Sequence, residues 1–259
     1  MKHRKPIAVL AALVLLAMSS LTGCSQPQTQ QTQEPQAAPT PQLITPREQL
    51  GLEPETSPDW VTALPQAAEA KQLFVVAGYE KTTAWISLHE KDESGTWHMI
   101  MSSPGYIGKE GLGKTKEGDG MTPVGTFSFN RAFGIAEDPG CAIPYVQADD
   151  DTYWSGDTRE GMHYNEMVSL KDYPDLDQEN SEHIVDYQYQ YQYCLNISYN
   201  EECTPGLGSA IFLHSFGDRK PYTGGCVSLP IEQMHFVMQH VSPDCVVVID
   251  SLENLGGSF

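Results

Sequence analysis

The sequence predicts a mostly-β domain over residues 71–252, built with one or two helices. Three observations predict it. Short runs of β-branched and aromatic residues, bounded by glycine or charged residues, recur from Gln72 onwards. One later segment, 230–241, repeats apolar residues at helical spacing. The chain has 259 residues, of which 40% are hydrophobic, and this is enough apolar material for one sizeable core.

Seven segments carry the strand pattern. In the longest, 185–199, the tyrosines at 187, 189, 191 and 193 alternate with glutamines, which predicts a strand with one packed face. Pro230 opens the helical segment, at a position where proline is tolerated. The predicted strands are 73–77, 83–89, 97–101, 124–129, 185–199, 210–213 and 245–249.

The N-terminus has the pattern of an export signal. Basic residues at positions 2, 4 and 5 precede an apolar stretch, 7–18, that is too short to span a bilayer. Leu-Thr-Gly-Cys follows at 21–24 and resembles the lipobox of bacterial lipoproteins. The resemblance implies that residues 1–23 are removed, that Cys24 is diacylated, and that the lipid holds the protein to a membrane outside the cytoplasm. An ordinary secretory signal with a chance cysteine is the alternative.

Residues 24–70 are expected to connect this anchor to the domain. The part from 25 to 42 is rich in Gln, Pro and Thr and cannot bury enough surface to offset the entropy of ordering, so it predicts a disordered tether. The part from 43 to 70 is transitional, with prolines among packable residues and a possible short helix near Trp60–Leu64. Residues 253–259 form a C-terminal tail.

The charge balance excludes one class of partner. Fifteen Lys and Arg face 34 Asp and Glu, giving a formal net charge of −19. A protein that binds nucleic acid needs clustered cations, so we expect no nucleic-acid partner. No ligand-spaced cysteine motif indicates a zinc site, and we expect neither a metal nor a cofactor.

His214 and Cys226 are the candidate catalytic residues. His214 ends an apolar strand, and Cys226 follows twelve residues later, preceded by Thr223, Gly224 and Gly225. A thiol with a histidine as its base is a nucleophile pair, and a neighbouring imidazolium can lower the thiol pKa. Paired glycines allow close approach of a substrate, and their N–H groups could stabilise an oxyanion. The alternatives are that Cys226 lies in a disulfide and that His214 has only a structural role.

A second segment, Gly118–Phe127, reads G-D-G-M-T-P-V-G-T-F. Alone, it predicts a turn that leads into a strand. Together with the strand ending in His214 and the T-G-G-C-V at 223–227, it resembles the L,D-transpeptidase catalytic domain, the YkuD-like family. The resemblance spans about residues 72–250 and implies a β-sandwich or barrel that acts on peptidoglycan stem peptides.

The family resemblance assigns roles to matched residues. Cys226 would attack a stem-peptide carbonyl and form a thioester, and His214 would be the general base. The carbonyl of Gly225 would orient the histidine. Thr223 stands at the family's Ser or Thr position, and an amine from a neighbouring stem would resolve the thioester to form a cross-link.

Two positions depart from the family pattern. Gly224 stands where many members have His, and Ser228 stands where many have Arg or Asn. We expect these departures to affect the choice of substrate more than the identity of the nucleophile. Arg219 or Lys220 could supply a cation instead, and the alternative for both is a solvated loop.

Four further cysteines, Cys141, Cys194, Cys203 and Cys245, could form two disulfides outside the cytoplasm, in any of three pairings. The pair Cys194–Cys203 is favoured by its position across a predicted strand-to-loop turn.

Several functions stay open on the sequence. Water as acceptor would make the protein an L,D-carboxypeptidase or endopeptidase. A bridged Cys226 would make it a non-catalytic peptidoglycan-binding lipoprotein. An unrelated cysteine hydrolase would need an Asn or Asp to orient His214, and nothing in the sequence places one there. The oligomeric state is not indicated.

Overall fold

A computed structural model describes residues 55–216 and 220–258. It contains thirteen strands and, in the described ranges, two α-helices. The helices are α1 (Asp59–Thr62) and α2 (Ile231–His240). The strands are β1 (Glu55–Thr56), β2 (Gln72–Gly78), β3 (Thr83–Lys91), β4 (Trp97–Tyr106), β5 (Gly125–Gly134), β6 (Tyr145–Gln147), β7 (Thr152–Trp154), β8 (Met167–Ser169), β9 (Glu182–His183), β10 (Cys194–Ile197), β11 (Phe212–Ser215), β12 (Val227–Leu229) and β13 (Val246–Ser251).

Eight strands close into a barrel. The order is β4-β12-β11-β10-β5-β13-β2-β3, and β3 pairs back with β4 over nearly the full length of both strands. The main core cluster draws on these strands and on Met234, Val237 and Met238 of helix α2. The mostly-β fold is therefore confirmed, and the predicted helix at 230–241 is found as α2 with Pro230 at its N-cap.

Strand β2 shows why its sequence is apolar at every position. Phe74 and Val76 point into the main core, while Leu73 and Val75 point to the other face and pack in a second cluster. That second cluster is covered by residues 59–70, through Val61 of α1 and neighbouring apolar side chains. Both faces of β2 are buried, so its residues need not alternate. Within the transitional segment, residues 55–70 thus pack on the barrel.

Residues 135–193 form an insertion between the neighbouring strands β5 and β10. It contains a small sheet of order β8-β7-β9. Trp154 of this insertion stacks on Phe133, with 5.7 Å between ring centroids, and contacts Phe212 at 4.8 Å. The insertion is thereby packed against strands β5 and β11 of the barrel.

The prediction of one strand over 185–199 is wrong in its first half. Residues 184–186 and 190–192 form short 3₁₀ turns, and only 194–197 are a strand. The Tyr191 N–H donates to the Tyr187 carbonyl at 2.8 Å, and the two rings lie 4.6 Å apart. Residues four apart along a strand are separated by about 13 Å. Tyr187 and Tyr191 therefore pack on each other along a turn instead of lining one face of a sheet.

The expected disulfides are also not present. Cys141, Cys194, Cys203, Cys226 and Cys245 are all free thiols. Cys194 opens β10 and is buried, while Cys203 follows the opposite end of that strand in a left-handed conformation. The length of β10 therefore separates the favoured pair.

The predictions for residues 1–54, including the signal peptide, the tether and Cys24, lie outside the described residues. No helix in the described ranges is both long enough and apolar enough to cross a bilayer.

Candidate active site

The two candidate catalytic residues lie on adjacent parallel strands. His214 is the third residue of β11, and Cys226 directly precedes β12. The register pairs Leu213 with Val227 and His214 with Ser228. The pairing of β11 with β12, and not the segment that connects them, therefore places Cys226 beside β11.

The Cys226 side chain is almost fully buried and lies against β11. Its Sγ donates a hydrogen bond to the Ala210 carbonyl at 3.1 Å and accepts one from the Phe212 N–H at 3.4 Å. Burial, with the nearby carboxyl group of Glu182 adding to it, raises the thiol pKa to about 12. In the resting site Cys226 is therefore a neutral thiol, and the expectation that an imidazolium lowers its pKa is not met.

The His214 ring is held in one tautomer. Its Nδ1 donates to the carbonyl of Ser215 at 2.7 Å, so Nε2 of the neutral ring carries the lone pair. Burial lowers the histidine pKa to about 4. The ring contacts Tyr191 edge to face, with centroids 5.4 Å apart. Within the described residues, the His214 ring and the Cys226 thiol are not hydrogen-bonded to each other. Each is instead hydrogen-bonded to backbone groups.

The carbonyl of Gly225 does not take the role that the resemblance implied for it. It accepts a hydrogen bond from Thr122 Oγ1 at 2.7 Å, while the histidine is oriented by Ser215. Gly225 has a φ of +147°, and a Cβ there would lie 2.8 Å from the Met121 carbonyl oxygen. Only glycine therefore fits at position 225, where the segment 223–227 packs against the upstream motif.

Asp119 organises the turn of the upstream motif. Burial alone would raise its pKa, but N–H groups of Thr115, Met121 and Lys116 and the Lys114 ammonium lower it to about 2. Lys114 Nζ lies 3.1 Å from Asp119 Oδ1, and both side chains are nearly inaccessible to solvent. The segment then enters β5 at Gly125, as predicted for a turn that leads into a strand.

Thr223 supports the loop that carries the cysteine. Its Oγ1 donates to the Cys226 carbonyl at 2.6 Å and accepts from the Gly225 N–H at 3.1 Å. The Gly225 N–H is thereby occupied in the resting site. The Thr223 hydroxyl therefore stabilises the conformation of this loop. The residue also borders the cavity described next.

A cavity of about 530 Å³ opens over these residues. Of the sequence-predicted residues, it brings together Cys226, His214, Thr223, Gly224, Gly225, Ser228 and Lys220. Arg219 lies outside the described residues. No group of His, Cys, Asp or Glu in the described ranges is arranged to hold a metal ion.

Other cavity residues were not singled out in the sequence. Lys109 and Lys114 precede the upstream motif, Glu117 adjoins it, and the insertion contributes Glu182, Tyr187 and Tyr191. Nothing local marks Glu182, because its place beside Cys226 depends on how the insertion folds back on the barrel. The tyrosine-glutamine repeat at 187–193 is the one nearby signal in the sequence, and it predicts a packed sheet face.

Comparison with known proteins identifies one family. A family model described as the L,D-transpeptidase catalytic domain matches residues 81–249. No curated protein matches the sequence. The structure is similar to crystal structures of the helical cell shape determining protein Pgp2 from Campylobacter jejuni and of its K307A mutant, at 16% identity and TM-scores of 0.38 and 0.36. Each match covers 70% of this chain and 48% of the other, so the chain spans about half the length of that protein.

Proposed function

Because the chain belongs to the YkuD family of L,D-transpeptidase catalytic domains, we propose that it modifies peptidoglycan by acyl transfer through Cys226. The observation that carries the proposal is the placement of Cys226 and His214 on adjacent parallel strands, with both opening into one cavity. A thiol and an imidazole with its lone pair on Nε2 form a nucleophile and base pair.

The resting charges determine the order of events. Both groups are neutral at pH 7, because burial raises the thiol pKa and lowers the histidine pKa. The thiol turns from the Ala210 carbonyl towards His214, and catalytic hydrogen bonds often tighten only when substrate binds. Sγ attacks the carbonyl carbon of the donor peptide as its proton passes to Nε2. The C–N bond then breaks, the leaving amine takes that proton, and a thioester remains on Cys226.

The thioester is then resolved by an amine. The C–N bond of the cross-link forms, the C–S bond breaks, and the proton lost by the amine returns to Cys226 through His214. Transpeptidation uses an amino group of a second stem peptide as acceptor, and hydrolysis uses water.

The cavity chemistry supports a peptide donor with a free carboxylate. The chain is strongly acidic, yet Lys109, Lys114 and Lys220 all border this cavity. Lys114 is paired with Asp119, while Lys109 and Lys220 are exposed. We assign the donor's terminal carboxylate to these two exposed ammonium groups, since they border the cavity and, unlike Lys114, are not held in the buried pair with Asp119.

The Cys226→Ala variant tests the proposal. The protein is incubated with a carbapenem-like acylating agent and its intact mass is measured. We expect one adduct on the wild type and none on Cys226→Ala. Cys141→Ala is the matched control, because Cys141 is a partly exposed free thiol away from the cavity, and it should keep the adduct. An adduct of equal yield on Cys226→Ala would refute the assignment.

A stem tetrapeptide as donor then tests the substrate class. The wild type should form the thioester and release the terminal amino acid, and Cys226→Ala should do neither. Binding of the peptide without release of an amino acid, at a free Cys226, would favour the non-catalytic peptidoglycan-binding alternative.

We also propose that the protein is a lipoprotein held outside the cytoplasm through Cys24, on the basis of the Leu-Thr-Gly-Cys at 21–24. Cys24→Ala should move the protein from the membrane fraction to the soluble fraction. Continued membrane association of that variant would refute the lipid anchor.

A further inference from the structure

The cavity that holds Cys226 and His214 also holds a carboxyl group that the mechanism above does not use. Glu182 opens β9 in the insertion and borders the cavity. Its Oε2 accepts a hydrogen bond from the Tyr191 hydroxyl at 2.6 Å. The Tyr191 ring in turn packs edge to face on His214. Glu182 is thus held towards the reaction centre by one residue that also contacts the proposed base.

Glu182 works against the first chemical step. Its negative charge contributes to raising the thiol pKa of Cys226. Within the described residues, no Lys, Arg or His forms an ion pair with it. A partly buried carboxylate with no cation is unfavourable. We therefore expect its benefit in a step that adds net positive charge to the cavity. Proton transfer from the Cys226 thiol to His214 adds none, because it separates charge between two neutral groups, whereas arrival of an ammonium group does.

We propose that Glu182 receives the amino group of the acceptor and so favours aminolysis of the Cys226 thioester over hydrolysis. The inference rests on the proposed acyl transfer and names the acceptor as a primary amine, such as the side-chain amine of a diamino acid. Glu182 is thereby a specificity-determining residue, because water carries no charge that it could recognise.

The proton transfers of this step balance. A primary ammonium cannot attack until it loses a proton, and the Glu182 carboxylate accepts that proton. The neutral amine attacks the thioester carbonyl carbon, the C–N bond forms and the C–S bond breaks. The second amine proton passes to His214 Nε2 and from there to the Cys226 thiolate. Glu182 releases its own proton to solvent, and the site returns to its resting state.

The surroundings of Glu182 suit a proton acceptor near neutral pH. Burial raises its pKa to about 7, the Tyr191 hydrogen bond opposes this, and the charge of Glu117 adds to it. A base is most effective when its pKa lies near the working pH. The titratable groups that face Glu182 across the cavity or interact with it electrostatically fall into three sets. They are the acidic residue Glu117 and the thiols of Cys194 and Cys226, the tyrosines Tyr187, Tyr191 and Tyr222, and the basic residues Lys109, Lys114, Lys220 and His214.

The test compares two fates of one thioester. The full protein is given a stem tetrapeptide as donor and a peptide with a free side-chain amine as acceptor, and cross-linked and hydrolysed products are quantified together. We expect Glu182→Gln to lower the ratio of aminolysis to hydrolysis at least about tenfold. The rate of thioester formation should not fall and should rise slightly, because a charge that disfavours the thiolate is gone. General damage to the site would instead slow both steps.

Glu179→Gln is the matched control. Glu179 lies three residues earlier in the same insertion, is exposed, and does not border the cavity of Cys226. It should leave both the ratio and the acylation rate unchanged. Tyr191→Phe keeps the ring but removes the hydroxyl that orients Glu182, so it should lower the ratio by a smaller factor.

The pH profile adds a readout that a merely structural role would not move. In the wild type, the ratio of aminolysis to hydrolysis should rise as the pH passes through about 7, when Glu182 becomes ionised. Glu182→Gln should lose the inflection near pH 7 and keep only the steady rise that deprotonation of the free amine produces. An unchanged ratio in Glu182→Gln, with thioester still formed, would overturn this inference alone. Absence of any thioester in the wild type would overturn the proposed function together with it.

Discussion

Thr122 and Gly225 lie 103 residues apart and are joined by a hydrogen bond of 2.7 Å from the threonine Oγ1 to the glycine carbonyl. The same hydroxyl accepts from the Gly108 N–H at 2.8 Å, and Thr122 is fully buried. One hydroxyl group thus ties the upstream motif to the loop that carries Cys226.

Thr122→Val should loosen this junction. The substitution keeps the shape of the side chain but leaves the Gly225 carbonyl and the Gly108 N–H buried without partners. Each unsatisfied group costs about 1–3 kcal/mol, so we expect a loss of at least about 2 kcal/mol in the free energy of unfolding, measured by denaturant titration. Acylation of Cys226 should also slow. Thr122→Ser keeps the hydroxyl, and equal acylation by the Val and Ser variants would contradict this role.

His214→Ala should reduce acylation of Cys226 strongly. The thiol is neutral at pH 7 and needs a base at the moment of attack, and loss of a general base lowers rates by roughly 10²–10⁴-fold. The rate is measured from the time course of adduct formation by intact mass. His235→Ala is the control, because His235 lies on helix α2 against Tyr193. Near-normal acylation in His214→Ala would remove the histidine from the mechanism.

Two buried histidines should make the fold sensitive to mild acid. Burial lowers the pKa of His89 and of His214 from 6.5 to about 4. The unfolded chain binds these protons first, so stability is lost as the pH falls from about 6.5 towards 4. Each histidine contributes about 3 kcal/mol to this loss, at 1.36 kcal/mol per pKa unit. Glu182, with its raised pKa, acts in the opposite direction between about 4.5 and 7.

His89 lies away from the cavity. A substitution of His89 therefore measures its contribution to the pH dependence of stability separately from that of His214. The two ring nitrogens of His89 are hydrogen-bonded to Ser57 and Ser87. His89→Gln should flatten the fall in the free energy of unfolding between pH 6.5 and pH 4, measured by denaturant titration at each pH. The same slope in variant and wild type would show that His89 is not buried in its neutral form.

Lys114→Met should destabilise the protein more than removal of an exposed lysine. Lys114 and Asp119 form a buried pair, and removing one partner leaves an uncompensated charge, at a cost of about 3 kcal/mol. Lys81 forms an exposed pair with Glu110, and such pairs contribute about 0–1 kcal/mol. Thermal or denaturant unfolding of Lys114→Met and Lys81→Met compares them directly. Similar losses in both would contradict the burial of the Lys114–Asp119 pair.

The sequence predicted five of the eight barrel strands closely because their signal is local, whereas β11 begins two residues after the predicted 210–213 and β12 has no predicted counterpart. The run 73–77 is apolar at every position since both faces of β2 are covered, and it lies within the observed Gln72–Gly78. Strands β3, β4, β5 and β13 likewise begin within one residue of their predicted starts. The family resemblance implied that Cys226 and His214 act together. The parallel pairing of β11 with β12 that brings them together is a tertiary contact, which no local sequence pattern predicts.

The parts that sequence reasoning missed depend on long-range packing. The tyrosines of 187–193 alternate as in a strand, yet contacts of Tyr191 with Phe212 and His214 hold them in turns. The pKa of Cys226 depends on burial and on Glu182, whose distance from it in the chain conceals their proximity. The carbonyl of Gly225 is engaged by Thr122, and no local pattern distinguishes this from a bond to His214.

The closed ring of β2–β5 and β10–β13 limits how a peptide can be bound. Every strand of the ring has a hydrogen-bonded neighbour on both sides, although β12 meets β4 through the single pair Ser228–Tyr106, and the other strands in the described ranges are two or three residues long. Many peptide-binding domains recruit an extended ligand as an added strand, which requires a free edge. Under the proposed function, we expect a stem peptide to be recognised mainly by its charged ends and side chains, and methylation of its backbone amides away from the reacting bond should be tolerated.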